Sequence, residues 1–277
     1  LNIAGISFQP SELAKYIIVF FLAMMIEKYG QVKKNWIVPL IYLGAAGVFS
    51  ILVFMENNLS IAAIIMFVAF IMVFVSGMNG KETIALMGAG GVLGAMGIFS
   101  SDYRRERFMS FTNPWKCAND EGYQLVHSLY AIGSGGLFGV GLGNSKQKAL
   151  YMPEPHNDFI FAIIAEELGL VGCIIIMAIF AVLIIAGIDV AMKAKDKYGK
   201  LLAAGIISVI AVQVIINIAV VTGSMPVTGV PLPFISYGGT SLVFNLAAVG
   251  VLLNISRQTK SHKDEIQEKI IKSKMNV

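Results

Sequence analysis

Charged residues are scarce in this chain, and their scarcity decides its class. Only 14% of the 277 residues are Asp, Glu, Lys or Arg, whereas soluble domains carry about 25%. Hydrophobic residues make up 56% of the sequence, and the mean hydropathy is +0.75. A soluble fold could not keep so much apolar surface from water. The composition therefore excludes a soluble enzyme and a disordered chain, and it indicates a polytopic membrane protein.

The sequence also lacks the patterns of several kinds of site. Its two cysteines, Cys117 and Cys173, lie in a polar loop and in an apolar run, so a disulfide between them is not expected. No spacing of histidines and cysteines is typical of a metal site, so no metal ligand is predicted. A Walker motif is absent as well, which leaves ATP-driven pumping without support.

Uncharged apolar runs predict about seven transmembrane helices, since a crossing takes about 20 residues. The runs are continuous rather than alternating, which excludes a strand-based barrel. The longest run, residues 201–256, is divided by the prolines of residues 223–233. The predicted crossings are residues 13–26, 36–55, a part of 57–80, 83–99, about 159–188, and the two halves of the divided run. The predicted fold is all-α.

Lysine and arginine set the predicted orientation. Fourteen of them lie in alternate gaps and in the tail, whereas the short loops at residues 56–58 and 223–233 have none. The positive-inside rule therefore places the tail, residues 257–277, in the cytoplasm, after a transmembrane domain of residues 1–256. Seven crossings then put the start outside. Because Leu1 is not an initiator methionine, we expect an odd number of upstream helices to be missing.

The loop of residues 100–158 departs from this rule, because it holds six cations on the predicted outer side. An apolar face over residues 123–132 predicts a short interfacial or re-entrant helix. Six glycines between residues 133 and 143, followed by Lys146 and Lys148, are typical of backbone that approaches a phosphate closely. A flexible outer loop with solvated lysines explains the same composition equally well.

Asp158 stands where a predicted span meets water. Aspartate is a favoured N-cap there, but a carboxylate beneath a cationic loop also suits base catalysis with an anionic leaving group. Glu12 and Lys15 are three residues apart and share a helix face. They either neutralise each other or line a cavity, and we weigh the two interpretations equally.

Other polar residues lie inside the predicted spans. Glu166 and Glu167 could belong to a proton path, although a polar contact between helices is the more frequent role of such groups. Gln213 and Asn217 share a face at a spacing of four residues, and hydrogen bonding between helices is the default interpretation for them.

Six segments carry a resemblance to a known family. They are residues 8–15 (FQPSELAK), 131–136 (AIGSGG), 141–145 (GLGNS), 153–162 (PEPHNDFIFA), 226–239 (PVTGVPLPFISYGG) and 252–257 (LLNISR). Together they resemble the SEDS family (shape, elongation, division and sporulation), which includes FtsW, RodA and SpoVE, and more closely its division and sporulation branch. Members have ten transmembrane helices, and the motifs match the fourth through the tenth, so the first three are absent.

The resemblance implies a peptidoglycan glycosyltransferase that polymerises lipid II at the outer face of the bacterial cytoplasmic membrane during division or sporulation. Asp158 matches the family's catalytic aspartate, a general base for inverting transfer with undecaprenyl pyrophosphate as the leaving group. Glu12 and Lys15 match positions that line the cavity. The further substrate-binding residues that we predict are Arg104, Arg105, Lys146, Lys148, Ser236, Tyr237 and Gly238.

No cofactor is implied, and a divalent cation at the pyrophosphate is left open. The implied partners are a class B penicillin-binding protein, other divisome proteins and the lipid bilayer. Two alternatives remain, a lipid II flippase and a non-catalytic divisome scaffold. A polymerase needs its essential carboxylate at the outer boundary, whereas an alternating-access carrier would hold its essential groups near the midplane.

Overall fold

The structure is a computed structural model that describes residues 2–3, 6–7, 9–30, 37–56, 58–120 and 122–275. Side chains are described in the same ranges, except at residues 2–3, 6–7, 93, 98, 103, 104 and 259–275. The described helices are α1 (Pro10–Tyr29), α2 (Ile37–Met55), α3 (Leu59–Val75), α4 (Gly80–Phe99), α5 (Asp102–Thr112), α6 (Tyr123–Gly135), α7 (Lys146–Leu150), α8 (Ile160–Lys193), α9 (Lys197–Val221) and α10 (Gly239–Met275). A short antiparallel ribbon, β1 (Asn2–Ile3) with β2 (Ile6–Ser7), precedes them.

Each predicted crossing coincides with a long helix, namely α1 to α4 and α8 to α10. Four of these, α2, α8, α9 and residues Gly239–Gln258 of α10, are long and apolar enough to cross a membrane, and α3 is a shorter apolar helix. The predicted all-α polytopic membrane fold is confirmed. α10 continues past residue 256, and the predicted division into a domain and a tail stays a prediction.

α9 lies at the centre of the bundle. Its most apolar window is 72% buried inside the protein, against 22% for the windows of α2, α8 and α10. Gly205 allows the close approach of α1 and α3, because a β-carbon there would come within 3 Å of the Val19 and Met72 side chains. A helix that is apolar all round belongs in such a position. α9 is therefore the central helix against which the surrounding helices pack.

α8 is interrupted at Gly169, where φ is 67° and ψ is −166°. The glycine-rich segment of residues 136–141, which follows α6, fills the interruption. Four backbone hydrogen bonds join the two: Val140 N to Glu166 O (3.0 Å), Gly141 N to Glu167 O (3.1 Å), Leu170 N to Gly136 O (2.9 Å) and Val171 N to Leu137 O (3.1 Å). Such a break is stable at membrane depth only when its backbone groups find partners. The span predicted over about residues 159–188 is present and is broken at Gly169, where these glycines approach the helix backbone.

Candidate functional site

A cavity of about 750 Å³ opens at one end of the bundle. It lies between the start of α1, the turn from α2 to α3, the residues before α8 and the start of α10. Lys28 and Lys193 lie in the last turns of α1 and α8, at the opposite ends of these two helices. Its lining includes Gln9, Pro10, Glu12, Glu56, Asn157, Asp158, Gly229, Pro231, Tyr237, Gly238, Thr240 and Ser241. Segments far apart in sequence thus bring four predicted site residues, Glu12, Asp158, Tyr237 and Gly238, into one cavity.

Asp158 presents its carboxylate to this cavity and does not cap α8. The N-cap position belongs to Phe159, and no side chain among the described residues makes a capping hydrogen bond there. Burial raises the pKa of the Asp158 carboxyl above its usual value, and Glu154 raises it further, whereas a hydrogen bond from its own backbone and the positive charge of Arg107 oppose the change. A carboxylate with a raised pKa accepts a proton more readily. Its environment therefore suits a general base.

The main chain around Asp158 is held from two sides. The buried side-chain amide of Asn217, on α9, donates to the Asp158 carbonyl at 2.7 Å and to the Val230 carbonyl at 2.8 Å. The backbone amide of Tyr237 donates to the His156 carbonyl at 2.8 Å, and the rings of these two residues meet edge to face. The loops before α8 and before α10 are therefore joined to each other and to the central helix.

Arg107 is the residue that sequence analysis missed. It was counted among six loop cations but not selected, because the pattern did not show which face of the segment turns inward. The structure forms α5 there, and Arg107 acts on the Asp158 carboxylate. Arg105 instead forms an exposed ion pair with Asp102 at 3.1 Å. A helical spacing over residues 102–112 was the signal that could have shown that Arg105 and Arg107, two residues apart, lie on different faces of the helix.

Glu12 and Lys15 form a buried ion pair within α1. The Lys15 ammonium donates to a Glu12 carboxylate oxygen at 2.8 Å, and their side chains are 0% and 3% exposed. Glu12 also lines the cavity, whereas Lys15 lies behind it. Both interpretations of the pair are therefore met in part: the two charges neutralise each other, and one of them faces the cavity.

Among the described side chains, those of Arg105, Lys146, Lys148 and Ser236 are not part of the cavity lining. Lys146 and Lys148 are exposed on α7, and Arg105 is paired as described. The Ser236 hydroxyl accepts a hydrogen bond from the Leu232 amide at 2.7 Å within its own loop. The side chain of Arg104 lies outside the described residues. Contact of these residues with substrate stays a prediction.

Glu166 supports the segment that carries the two lysines. Its carboxylate, in a side chain buried within α8, accepts hydrogen bonds from the Ser145 hydroxyl, the Lys146 amide (3.0 Å) and the Gln147 amide (3.3 Å). The first turn of α7 therefore rests on the Glu166 side chain. This is a polar contact between helices, the role expected more often than a proton path. In Glu167 one carboxylate oxygen, Oε1, has no hydrogen-bond partner among the described residues.

Comparison with known sequences gives one consistent result. A family model described as "Cell cycle protein" and named for FtsW, RodA and SpoVE matches residues 1–261. Stage V sporulation protein E of Bacillus subtilis is 43% identical over 265 residues, which cover 94% of this chain and 71% of that protein. A probable peptidoglycan glycosyltransferase FtsW of Geobacter sulfurreducens is 40% identical over 262 residues, which cover 94% of this chain and 70% of that protein.

Solved structures agree with the sequence comparison. A chain described under "Structural coordination of polymerization and crosslinking by a peptidoglycan synthase complex" superposes with a TM-score of 0.77 at 26% identity, covering 94% of this chain and 73% of that one. The rod shape determining protein RodA of Thermus thermophilus gives a TM-score of 0.63 at 26% identity, and the match covers 94% of this chain and 69% of that one. The similarity extends over nearly the whole chain.

Proposed function

Because the chain belongs to the FtsW/RodA/SpoVE family, we propose that it is a peptidoglycan glycosyltransferase that polymerises lipid II into glycan strands during division or sporulation. Relatives at about 40% identity carry the name of this activity. The observation that carries the proposal is the half-buried carboxylate of Asp158, which faces a large cavity and feels the positive charge of Arg107. Such a cavity holds the acceptor sugar of the substrate next to a group that accepts its proton.

In the proposed reaction Asp158 acts as the general base. The 4-hydroxyl oxygen of the acceptor's terminal GlcNAc attacks C1 of the donor MurNAc, and its proton passes to the Asp158 carboxylate. The bond from C1 to the pyrophosphate oxygen breaks on the opposite face, so the configuration at C1 inverts. Undecaprenyl pyrophosphate leaves with the electron pair. One carboxylate is sufficient for this scheme, because no covalent intermediate forms.

The departing pyrophosphate needs positive charge in a setting of low dielectric constant. The positive charge of Arg107 acts on the Asp158 carboxyl, and in this proposal it also stabilises the departing pyrophosphate. Arg104, Arg105, Lys146 and Lys148 are on the same loop and are further candidates for the pyrophosphate.

The cavity faces the outer side of the membrane in this proposal. The starts of α1, α8 and α10 meet there, whereas Lys28, Lys193 and Arg257 lie towards the other ends of these helices. The positive-inside rule assigns those other ends, including the C-terminus, to the cytoplasm. A class B penicillin-binding protein is the proposed partner, since a similar chain was solved in a peptidoglycan synthase complex.

The position of Asp158 favours a polymerase over a flippase. Asp158 precedes the first turn of α8, whereas a carrier of the alternating-access kind would place its essential group near the midplane. A carrier would move lipid II without joining its sugars, so it would form no polymer even as the wild-type chain. A non-catalytic scaffold would give no polymer even with the wild-type chain.

The experiment compares variants of the purified full-length protein, with its class B partner, on lipid II. We expect Asp158→Ala and Asp158→Asn to abolish polymerisation while folding and partner binding are kept. The matched control is Asp102→Asn, which removes an exposed carboxylate of the same loop and should leave the rate unchanged. Wild-type polymer from Asp158→Ala would overturn the assignment of the base.

A further inference from the structure

We propose that Asn217 is a positioning residue for the reaction, because its side-chain amide fixes Asp158 relative to the opposite wall of the cavity. The inference rests on the proposed function, and it concerns a residue that does not touch the carboxylate. Asn217 is 1% exposed and lies in the last two turns of α9. Its side chain belongs to the central, most buried helix of the described bundle.

Both donors of this one amide are in use, on two different loops. One hydrogen bond goes to the carbonyl of Asp158, at 2.7 Å, and the other to the carbonyl of Val230, at 2.8 Å. The residues on either side of Val230, Gly229 and Pro231, line the cavity together with Asp158. A single rigid group therefore joins the loop that carries the base to the loop that faces it.

The two walls are close enough for this connection to matter. A β-carbon at Gly229, whose φ is +67°, would lie 3.7 Å from the Asp158 carboxylate oxygen Oδ2. The loop backbone therefore packs directly against the reacting group. If the Asn217 amide were lost, two carbonyls would lose their donor and the two loops would separate from α9 and from each other. A shift of about 1 Å at a reacting group can cost on the order of 100-fold in rate.

The charged groups that face Asp158 come from other elements than α9. Arg107 on α5 and Glu154 in the loop before α8 act on its carboxylate, and Glu12 and Glu56 line the same cavity. Asn217 carries no charge, so it affects the carboxyl through position and access to water. Burial raises the pKa of Asp158, so a loosened loop that admits water should lower that pKa. The acid limb of the rate profile would then move to lower pH.

Gln213 supplies a matched control on the same helix face. It is four residues before Asn217 and also 1% exposed, yet neither polar atom of its side chain has a hydrogen-bond partner among the described residues. Substituting leucine removes a buried amide of similar polarity from each position. The two substitutions differ in one respect, because of these two residues it is Asn217 that donates hydrogen bonds to the loops around Asp158.

The test uses the full-length protein with its class B partner and lipid II as substrate. We expect Asn217→Leu to lower kcat by roughly 10- to 100-fold, to leave KM within about 2-fold, and to move the acid limb to lower pH. Gln213→Leu should keep the wild-type kcat and the wild-type acid limb. Asn217→Asp keeps the shape of the side chain but offers one donor at most, so its kcat should fall between those of the wild type and Asn217→Leu.

The outcomes separate this inference from the proposed function. If Asp158→Asn is inactive while folded Asn217→Leu keeps the wild-type kcat and acid limb, the positioning role is wrong and the proposed function stands. If Asn217→Leu does not fold, Asn217→Asp decides, and wild-type kcat with an unmoved limb overturns the inference. If the wild-type complex forms no polymer, the proposed function itself fails.

Discussion

Gly139 and Gly169 lie against each other where α8 is interrupted. A β-carbon on Gly139 would come within 2.7 Å of the Gly169 amide nitrogen. Both residues have positive φ, 79° and 67°, which favours glycine. The contact fastens the loop that follows α6 to the helix that Asp158 precedes. The interruption is therefore a joint between the outer loop and the bundle.

Gly169→Ala tests this joint. The backbone at residue 169 is in a region that is nearly restricted to glycine, and a side chain there would meet the backbone of residues 137 and 139. We expect a loss of at least about 1–3 kcal/mol in the free energy of unfolding, visible as a lower thermal midpoint in detergent.

Gly133→Ala is the control for that substitution, since residue 133 lies in α6 and a β-carbon there would meet no atom of the described residues within 4 Å. It should leave the midpoint unchanged or slightly higher, because alanine favours a helix over glycine. Equal effects of the two substitutions would contradict the joint.

Glu166→Ala should release α7 from α8. The carboxylate accepts three hydrogen bonds at the start of α7, from Ser145 and from the amides of the next two residues. Hydrogen bonds to a charged group contribute about 1.5–3 kcal/mol each when their loss leaves buried groups unpaired. Hydrogen exchange should therefore become faster over residues 145–151 while the bundle stays protected.

The neighbouring Glu167→Ala is the comparison, because the Glu167 side chain has a buried oxygen without a described partner. In the Glu167→Ala variant, the backbone amides of residues 145–151 should exchange as fast as in the wild type. Faster exchange of that segment in Glu167→Ala, or unchanged exchange in Glu166→Ala, would show that α7 is held by something else.

The sequence predicted those features that depend on local pattern. Apolar runs predicted the long helices, and the spacing of three residues put Glu12 and Lys15 on one face, where they form an ion pair. It did not predict the interruption of α8, because Gly169 resembles any glycine in an apolar helix until the partner loop is known. It predicted hydrogen bonding between helices for Asn217 but not the acceptors, the Asp158 and Val230 carbonyls, because both belong to loops in other parts of the chain.

A double-mutant cycle at Glu12 and Lys15 should show strong coupling. Removing one partner leaves a charge buried without compensation, which costs about 3–5 kcal/mol, whereas removing both with apolar residues of similar volume is often neutral. We expect Lys15→Met to lower the thermal midpoint far more than Glu12→Leu with Lys15→Met together. Additive losses would contradict a coupled pair, and the rate of the folded double variant measures what Glu12 contributes inside the cavity.

Arg107 should set the pH dependence of polymerisation. A general base works while it is ionised, so activity is lost as the pH falls through the pKa of Asp158. The positive charge of Arg107 lowers that pKa, and the negative charge of Glu154 raises it. Arg107→Gln should therefore move the acid limb of kcat/KM to higher pH, and Glu154→Gln should move it to lower pH.

Arg105→Gln is the matched control for Arg107, because it removes a charge two residues away on α5 that is already paired with Asp102 at the surface. Its acid limb should coincide with that of the wild type. If Arg107→Gln and Arg105→Gln shifted the limb equally, the effect would come from the general positive charge of the loop. If Glu154→Gln and Arg107→Gln shifted it in the same direction, a group other than Asp158 would control the rate. Opposite shifts at these two positions, with none at Arg105, identify Asp158, the carboxyl on which both charges act, as the base.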